Sequence, residues 1–339
     1  VLIHTNLGRS PIQEAAAQRM HDIAVNYNNL EIDLDSGARG KRGRYFEQLL
    51  AQLVDAEAAT VVNNCASALI LILRLFTANT GKKEVLISRG ELVEIGGGFR
   101  VPEIMEASGA TLREVGATNK TSLDDYARAI GPETAMLLKV HRSNFWMEGF
   151  VDSPTTEEMA ALAHEHGLAM VEDLGSGAMV DTGQLAPIEH EPLANEILKR
   201  GVDLVCFSGD KIFGGPQAGM IAGKAELIAG LKKEPFFRAL RCDKLILTLL
   251  ECTAQAYLDA RATSSIPSLP LLDMLQLTVD SLRERGEAMG KELAGLPVDW
   301  SLGESTAQVG GGTMPKSAIP SVTLDLKAHG LKAPVLAKR

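Results

Sequence analysis

The chain has 339 residues, of which 45% are hydrophobic and 23% charged; this composition excludes a disordered or fibrous protein and leaves room for one large domain and a smaller one. A net charge of −9 at pH 7 argues against a general nucleic-acid binder, though a local basic patch stays open. The apolar run at 66–76 is interrupted by Arg74 and is too short to span a bilayer, and the four cysteines (Cys65, Cys206, Cys242, Cys252) form no CxxC pair, which gives a metal site little support and fits a reduced cytosolic protein.

The opening VLIHTNLGR reads as a strand and turn already in progress. Apolar residues at helical spacing predict a helix over 47–54, and Thr60-Val61-Val62 a short strand ended by Asn63-Asn64. A buried helix over 66–76 follows, then a strand at 85–87, a helix at 101–107 and a strand at 111–115. Ser122 caps a helix to Ala129, with Asp124 and Asp125 in its first turn. Next come a strand at 135–140, a helix over 154–166 capped by Thr155 or Thr156, and a strand at 168–172. Residues 188–200 read as largely helical, 202–207 as a strand, 220–222 as a further strand and 225–231 as a helix. This alternation is that of an α/β protein with a mostly parallel or mixed sheet. Beyond Arg241 the pattern changes to a helix over 243–261, a break at Pro267 and Pro270, and a long helix over 271–293. From Pro297 the chain turns Gly/Ser-rich, with a strand at 321–326. We expect a large domain over 1–250, then a linker helix and a smaller, incomplete C-terminal α/β domain over 251–339.

Active sites in α/β sheets gather at the carboxyl ends of strands. Four such ends carry unusual residues: Asn63-Asn64-Cys65, His141-Arg142, Glu172-Asp173 and Ser208-Gly209-Asp210-Lys211. A lysine at the end of a buried strand is costly to desolvate, and a buried amine can form an imine with an aldehyde. Pyridoxal phosphate is the usual aldehyde cofactor, and its ring nitrogen takes a carboxylate partner. Asp173, 38 residues before Lys211, stands about one helix–strand unit away. Asn64-Cys65-Ala66-Ser67, opening the apolar helix, offers backbone N–H groups to a phosphate. The plain alternative is a solvated loop lysine and a capping aspartate; for Cys65 it is a small residue in a tight turn. Arg238 and Arg241, three apart, share a face if their segment is helical, and form either an anion site or a solvated basic face. The basic run GARGKRGR at 37–44 is mobile until something orders it, such as a phosphate backbone, or it is a loop at a subunit edge. Neither GxGxxG nor GxxxxGK[ST] occurs.

These residues lie in stretches similar to one known family. HTNLGR at 4–9, LEIDLDSGARGKRG at 30–43, SRGELVEIGG at 88–97 and EVGATNKT at 114–121 carry the first half of the resemblance. KVHRSNFWMEGF at 139–150, DLGSG at 173–177, SGDKIFGGPQAG at 208–219 and RALRCDK at 238–244 carry the rest. The chain resembles the bacterial selenocysteine synthases, the L-seryl-tRNA(Sec) selenium transferases, up to about residue 260. The resemblance implies a pyridoxal 5'-phosphate enzyme of fold type I, with a mixed, mostly parallel seven-stranded sheet flanked by helices. It implies conversion of seryl-tRNA(Sec) to selenocysteinyl-tRNA(Sec) with selenophosphate, through an aminoacrylyl intermediate. Lys211 and Asp210 would be catalytic. Lys211, Asp173, Asn64, Cys65, Ala66, Ser208 and His141 would bind the cofactor, and Arg9, Arg238 and Arg241 the substrate anion, with no metal. It further implies a cytoplasmic homo-oligomer with active sites between subunits, dimers assembling into a decamer, and no membrane. The chain is expected to open at the family's catalytic core, without its N-terminal tRNA-binding domain and without its C-terminal end. Two departures stand out: NNCASA in the phosphate turn, and Trp146 where a smaller residue is expected. The alternative is a related lyase or β-replacement enzyme acting on a small amino acid or amino sugar.

Overall fold

The computed structural model describes residues 2–330, except 79, 96, 97 and 311, together with residue 335. The closing stretch that the sequence leaves without a clear element, 331–339, therefore lies almost wholly outside the described residues.

The strands are β1 (Ala58–Val62), β2 (Glu84–Ser88), β3 (Glu94–Ile95), β4 (Phe99–Arg100), β5 (Thr111–Val115) and β6 (Thr134–Val140). They continue as β7 (Ala169–Gly175), β8 (Leu204–Ser208), β9 (Gly219–Gly223), β10 (Val298–Ala307) and β11 (Ile319–Ala328). Seven of them form one sheet in the order β1-β9-β8-β7-β6-β2-β5. β8, β7, β6, β2 and β5 pair parallel, whereas β9 pairs antiparallel with both β8 and β1. Only β9 thus runs against the rest, and β1, β6, β7 and β8 deliver their carboxyl ends to one edge.

Both faces of this sheet are buried, as its near-continuous apolar strands require. Val61, Leu86, Leu137, Met170, Val205 and Met220 point into one core. Their neighbours Val62, Val85, Met136, Val171, Leu204 and Ile221 point into the other, by the two-residue alternation of a strand.

The helices are α1 (Glu14–Val25), α2 (Arg44–Leu53), α3 (Cys65–Thr77), α4 (Val101–Ser108), α5 (Leu123–Ala129) and α6 (Thr156–Glu165). After them come α7 (Ala194–Lys199), α8 (Ala225–Lys233), α9 (Pro235–Leu240), α10 (Lys244–Ala262), α11 (Pro270–Leu275) and α12 (Val279–Glu292). Ser122 and Thr155 close capping boxes with Asp125 and Glu158, which settles the cap of α6 on Thr155.

Several expectations change. The helix expected over 271–293 is two helices, because Thr278 turns extended and caps α12 through Ser281 N–H at 3.2 Å. Only 194–199 of 188–200 is helical, since Glu191 and Leu193 spend their N–H groups on Thr182 and Glu196 side chains. The Gly/Ser-rich stretch after Pro297 holds β10, which pairs along its whole length with β11. Helix α1, unassigned from sequence, packs on α10. The helix read as part of a linker, α10, buries Leu247, Leu250, Ala254 and Tyr257 in the main core; the expected border at 250 falls inside it.

Candidate active site

Helix α3 starts where β1 ends. The Asn64 side chain accepts from Ser67 N–H at 2.8 Å, which leaves the N–H groups of Cys65 and Ala66 in the first turn free of intrahelical partners. β9 runs so close to this turn that a Cβ on Gly219 would collide with the Asn64 carbonyl.

At the end of β7 the pairing with β8 shifts register between Asp173 and Gly175. Such an irregularity re-aims side chains; here Asp173 Oδ1 accepts from Gly175 N–H at 3.0 Å and from the Cys65 thiol at 3.6 Å. Gly175 is left-handed at φ +65°, and a Cβ there would stand 3.6 Å from Lys211 Nζ and 3.3 Å from Ser143 Oγ. The missing side chain keeps that space clear in front of the amine.

Lys211 lies in the turn after β8 and is buried, as is Asp210. Burial lowers the Lys211 pKa, opposed by the negative charge of Asp173 among others. Burial likewise raises the Asp173 carboxyl, and Lys211 offsets part of that rise. The lysine amine has no hydrogen-bond or ion-pair partner among the described residues. Its desolvation is only partly offset, by the charge of Asp173 among others, which suits an amine that must be neutral to meet an aldehyde.

Arg9 enters from the amino-terminal segment. Leu2 and Ile3 donate to the carbonyls of Gln308 and Val309, and a 3-10 turn at Thr5–Leu7 follows, with His4 Nδ1 accepting from Asn6 N–H at 3.1 Å. His4 is thereby a turn cap. Arg9 itself is left-handed at φ +67°, a conformation that costs a non-glycine residue roughly 1–2 kcal/mol. It is held by Ser10 N–H donating to the Asp210 carbonyl at 3.2 Å and by Arg9 Nε at 3.4 Å from Asp210 Oδ2.

The result is a cavity of about 240 Å³ lined by Arg9, Asn64, Cys65, Ala66, Asp173, Ser208, Asp210 and Lys211 among others. Eight residues singled out in the sequence, from four separate segments, meet there. Gly175, Gln217 and Ala218 also line it. Gln217, an exposed polar residue among the glycines after Lys211, carried a signal in the sequence that the reading passed over. The proximity of Cys65, Asp173 and Cys206, whose sulfur and carboxylate atoms lie within 4.8 Å of one another, carries no such signal, because no local spacing reveals it. A hydrogen bond with Cys65, then burial, pushes the Cys206 thiol well above its usual range.

Three expected site residues stand apart. His141 donates its backbone N–H to the Asp173 carbonyl at 2.8 Å, yet its ring pairs with buried Glu191 at 3.1 Å and lines a neighbouring cavity. Arg238 and Arg241 do not share a helix face, because α9 ends at Leu240 and Arg241 is extended. Both line a third cavity of about 520 Å³ with Lys41, Arg42 and Lys232. Arg241 is nevertheless bridged to Val62, and Asn63 N–H donates to Leu240 carbonyl at 2.9 Å, so this cavity flanks the same β1 end. The basic run at 37–44 is ordered within the chain: Arg39 and Arg42 bind Glu31 at 2.9 and 2.8 Å.

The residues around Lys211 fit pyridoxal phosphate: a buried unpartnered amine, a carboxylate across from it, an open helix N-terminus and glycine where a side chain would fill the space. The sheet and this set define an enzyme of the pyridoxal-phosphate-dependent fold type I. In shape the chain is similar to D-glucosaminate-6-phosphate ammonia-lyase, at TM-score 0.67 and 19% identity over 96% of this chain and 78% of that one. It is also similar to aspartate aminotransferase from Thermus thermophilus, at TM-score 0.51 and 17% identity over 85% and 69%. Residues 1–339 match the family described as SelA, L-seryl-tRNA selenium transferase, and the chain belongs to that family. It is 45% identical to the L-seryl-tRNA(Sec) selenium transferase of Geotalea daltonii, covering 100% of this chain and 72% of that protein. With the Geobacter sulfurreducens protein of the same name it shares 46% identity over 98% and 71%.

Proposed function

We propose that this protein converts L-seryl-tRNA(Sec) to L-selenocysteinyl-tRNA(Sec), with selenophosphate as the selenium donor. The single observation that carries this reading is the Lys211–Asp173 cavity in a chain that matches the family from end to end. When bound, pyridoxal phosphate supplies an aldehyde and a ring that accepts electrons from the substrate's α-carbon. Lys211 holds that aldehyde and then takes and returns the α-proton, a role suited to an amine whose pKa burial lowers. Asp173, which lines the cavity with Lys211, would pair with the ring nitrogen and keep it charged. Cys65 and Ala66 N–H groups, with Ser208 beside them, receive the phosphate. Asp210 orients Arg9, and either Asp210 or a lysine would deliver the proton to the leaving hydroxyl.

Arg9 in the cavity, and Arg238 with Arg241 beside it, hold the donor's phosphate. Their separation within one chain supports a site completed between subunits; dimers that build a decamer are what the resemblance implies. His141 follows the end of β6, and we infer that its ring would serve the cofactor only if its pairing with Glu191 were exchanged. We place the protein in the cytoplasm: all four cysteines are free, and no helix among the described residues is long and apolar enough to cross a membrane. The large domain carries α10 whole, and the smaller one is built on α12, β10 and β11. Only a shared fold with the ammonia-lyase favours the alternative of a lyase on a small amino acid or amino sugar.

The test is turnover: cofactor-loaded protein, seryl-tRNA(Sec) and selenophosphate are expected to yield selenocysteinyl-tRNA(Sec). Turnover of free serine or an amino sugar, with none on the charged tRNA, rejects the reading.

A further inference from the structure

The cavity that takes His141 has no role in the chemistry above. It has a volume of about 250 Å³ and lies between the loop after β6, the segment at 189–191 and the segment at 314–317. It adjoins the Lys211 cavity at the sheet edge: His141 is bonded through its backbone to Asp173, and Ser143 and Lys211 flank the same space over Gly175.

Its most unusual feature is an indole left in water by a loop that is otherwise tied down. Asn144 Nδ2 donates to the Glu94 carbonyl at 2.7 Å, and Glu148 pairs with Lys316 at 3.0 Å. Met147 packs on Gly90, where a Cβ would stand 3.3 Å from its Cε. With its neighbours anchored on three sides, Trp146 is still 51% exposed and, with Phe145, lines the cavity. A large aromatic presented this way on a fixed loop is a stacking platform.

The charges around it narrow the ligand. His190 is paired with Asp181 and Glu196, His141 with Glu191, and Lys316 with Glu148. Glu189 and Glu191 make the cavity a poor seat for a chain of phosphates. They suit a nucleoside, whose hydroxyl and amino groups donate. Arg142 lines the cavity and has no hydrogen-bond or ion-pair partner among the described residues; one cation matches one phosphodiester.

We propose that this cavity binds the unpaired 3′-terminal adenosine of the charged tRNA, its base stacked on Trp146 and its 5′-phosphate on Arg142. The ribose that carries the serine ester is thereby held at the rim of the Lys211 cavity. The inference rests on seryl-tRNA being the substrate. It assigns a task to Trp146, which stands where a smaller residue was expected.

The chain's two tryptophans are Trp146 and Trp300, so Trp300→Phe leaves Trp146 as the only indole reporter. Titrating that variant, cofactor-loaded, with 3′-deoxy-3′-(L-serylamino)adenosine is expected to quench its fluorescence, whereas L-serine methyl ester leaves it unchanged. In turnover, Trp146→Ala is expected to raise KM for seryl-tRNA about tenfold with kcat kept, and Trp146→Phe to restore most of the affinity. Absent quenching by the adenosine conjugate, equal quenching by the methyl ester, or an unaltered KM in Trp146→Ala overturns the proposal. Quenching in a protein that makes no selenocysteinyl-tRNA keeps the adenosine site and retires the functional reading instead.

Discussion

Two cation-bearing cavities flank the end of β1, and they treat positive charge in opposite ways. Around Lys211 the chain buries a single amine, leaves it without a partner and lowers its pKa. Around Arg241 it gathers several cations in a larger space, leaves them a quarter to a third exposed and ties them to carboxylates: Arg241 and Arg42 to Glu31 at 3.9 and 2.8 Å, and Lys232 to Glu47 through a short contact of 2.6 Å. Desolvation suits a group that must be neutral to react. Solvation suits groups that must stay charged to hold an anion. The contrast assigns covalent chemistry to one cavity and electrostatic holding to the other.

The harshest way to break this division is Lys211→Ala. We expect loss of the visible absorbance that borohydride bleaches, and a fall in turnover of at least about 10²–10⁴-fold from the base function alone. A variant that keeps the chromophore and turns over normally removes the basis for the division.

The lysine's importance was legible in the sequence because it depends on local facts: a buried strand, a turn and glycines on both sides. Asp173 and the Asn64 turn were legible for the same reason, each being a strand end in a regular α/β alternation. What escaped depends on contacts between distant segments. Nothing near His141 announces Glu191, 50 residues on, as the partner that turns its ring away from Lys211. The Arg238–Arg241 pair was misplaced because helical spacing was extended one residue past the end of α9, where Arg241 instead bridges to Val62. β10 was hidden by its burial pattern: most of its residues are exposed or half-exposed, so no apolar alternation marks it, and its pairing with β11 decides its shape.

A gentler variant sharpens the other half of the comparison. Arg241→Ala and Arg238→Ala are each expected to raise KM for selenophosphate by about tenfold, the scale of one hydrogen bond to a charged group. Cofactor absorbance should stay unchanged, because neither side chain lines the Lys211 cavity. Loss of cofactor with no change in KM reverses the two assignments.

The smallest effect is a matter of pH, and it reads the difference in burial directly. Uptake of pyridoxal phosphate by the apo-protein requires the neutral amine of Lys211. Burial lowers that amine's pKa, so below the ordinary lysine value more of it is neutral than in a solvated lysine. The uptake rate is therefore expected to rise with pH and to level off below the usual lysine range near 10.4. Selenophosphate affinity does not depend on that amine and should show no step at the pH where uptake levels off. Stopped-flow absorbance from about pH 7 to 10 measures the first, and competition by inorganic phosphate the second. An uptake curve still climbing at the ordinary lysine value means that the amine is solvated, and then the two cavities do not differ in the way their burial indicates.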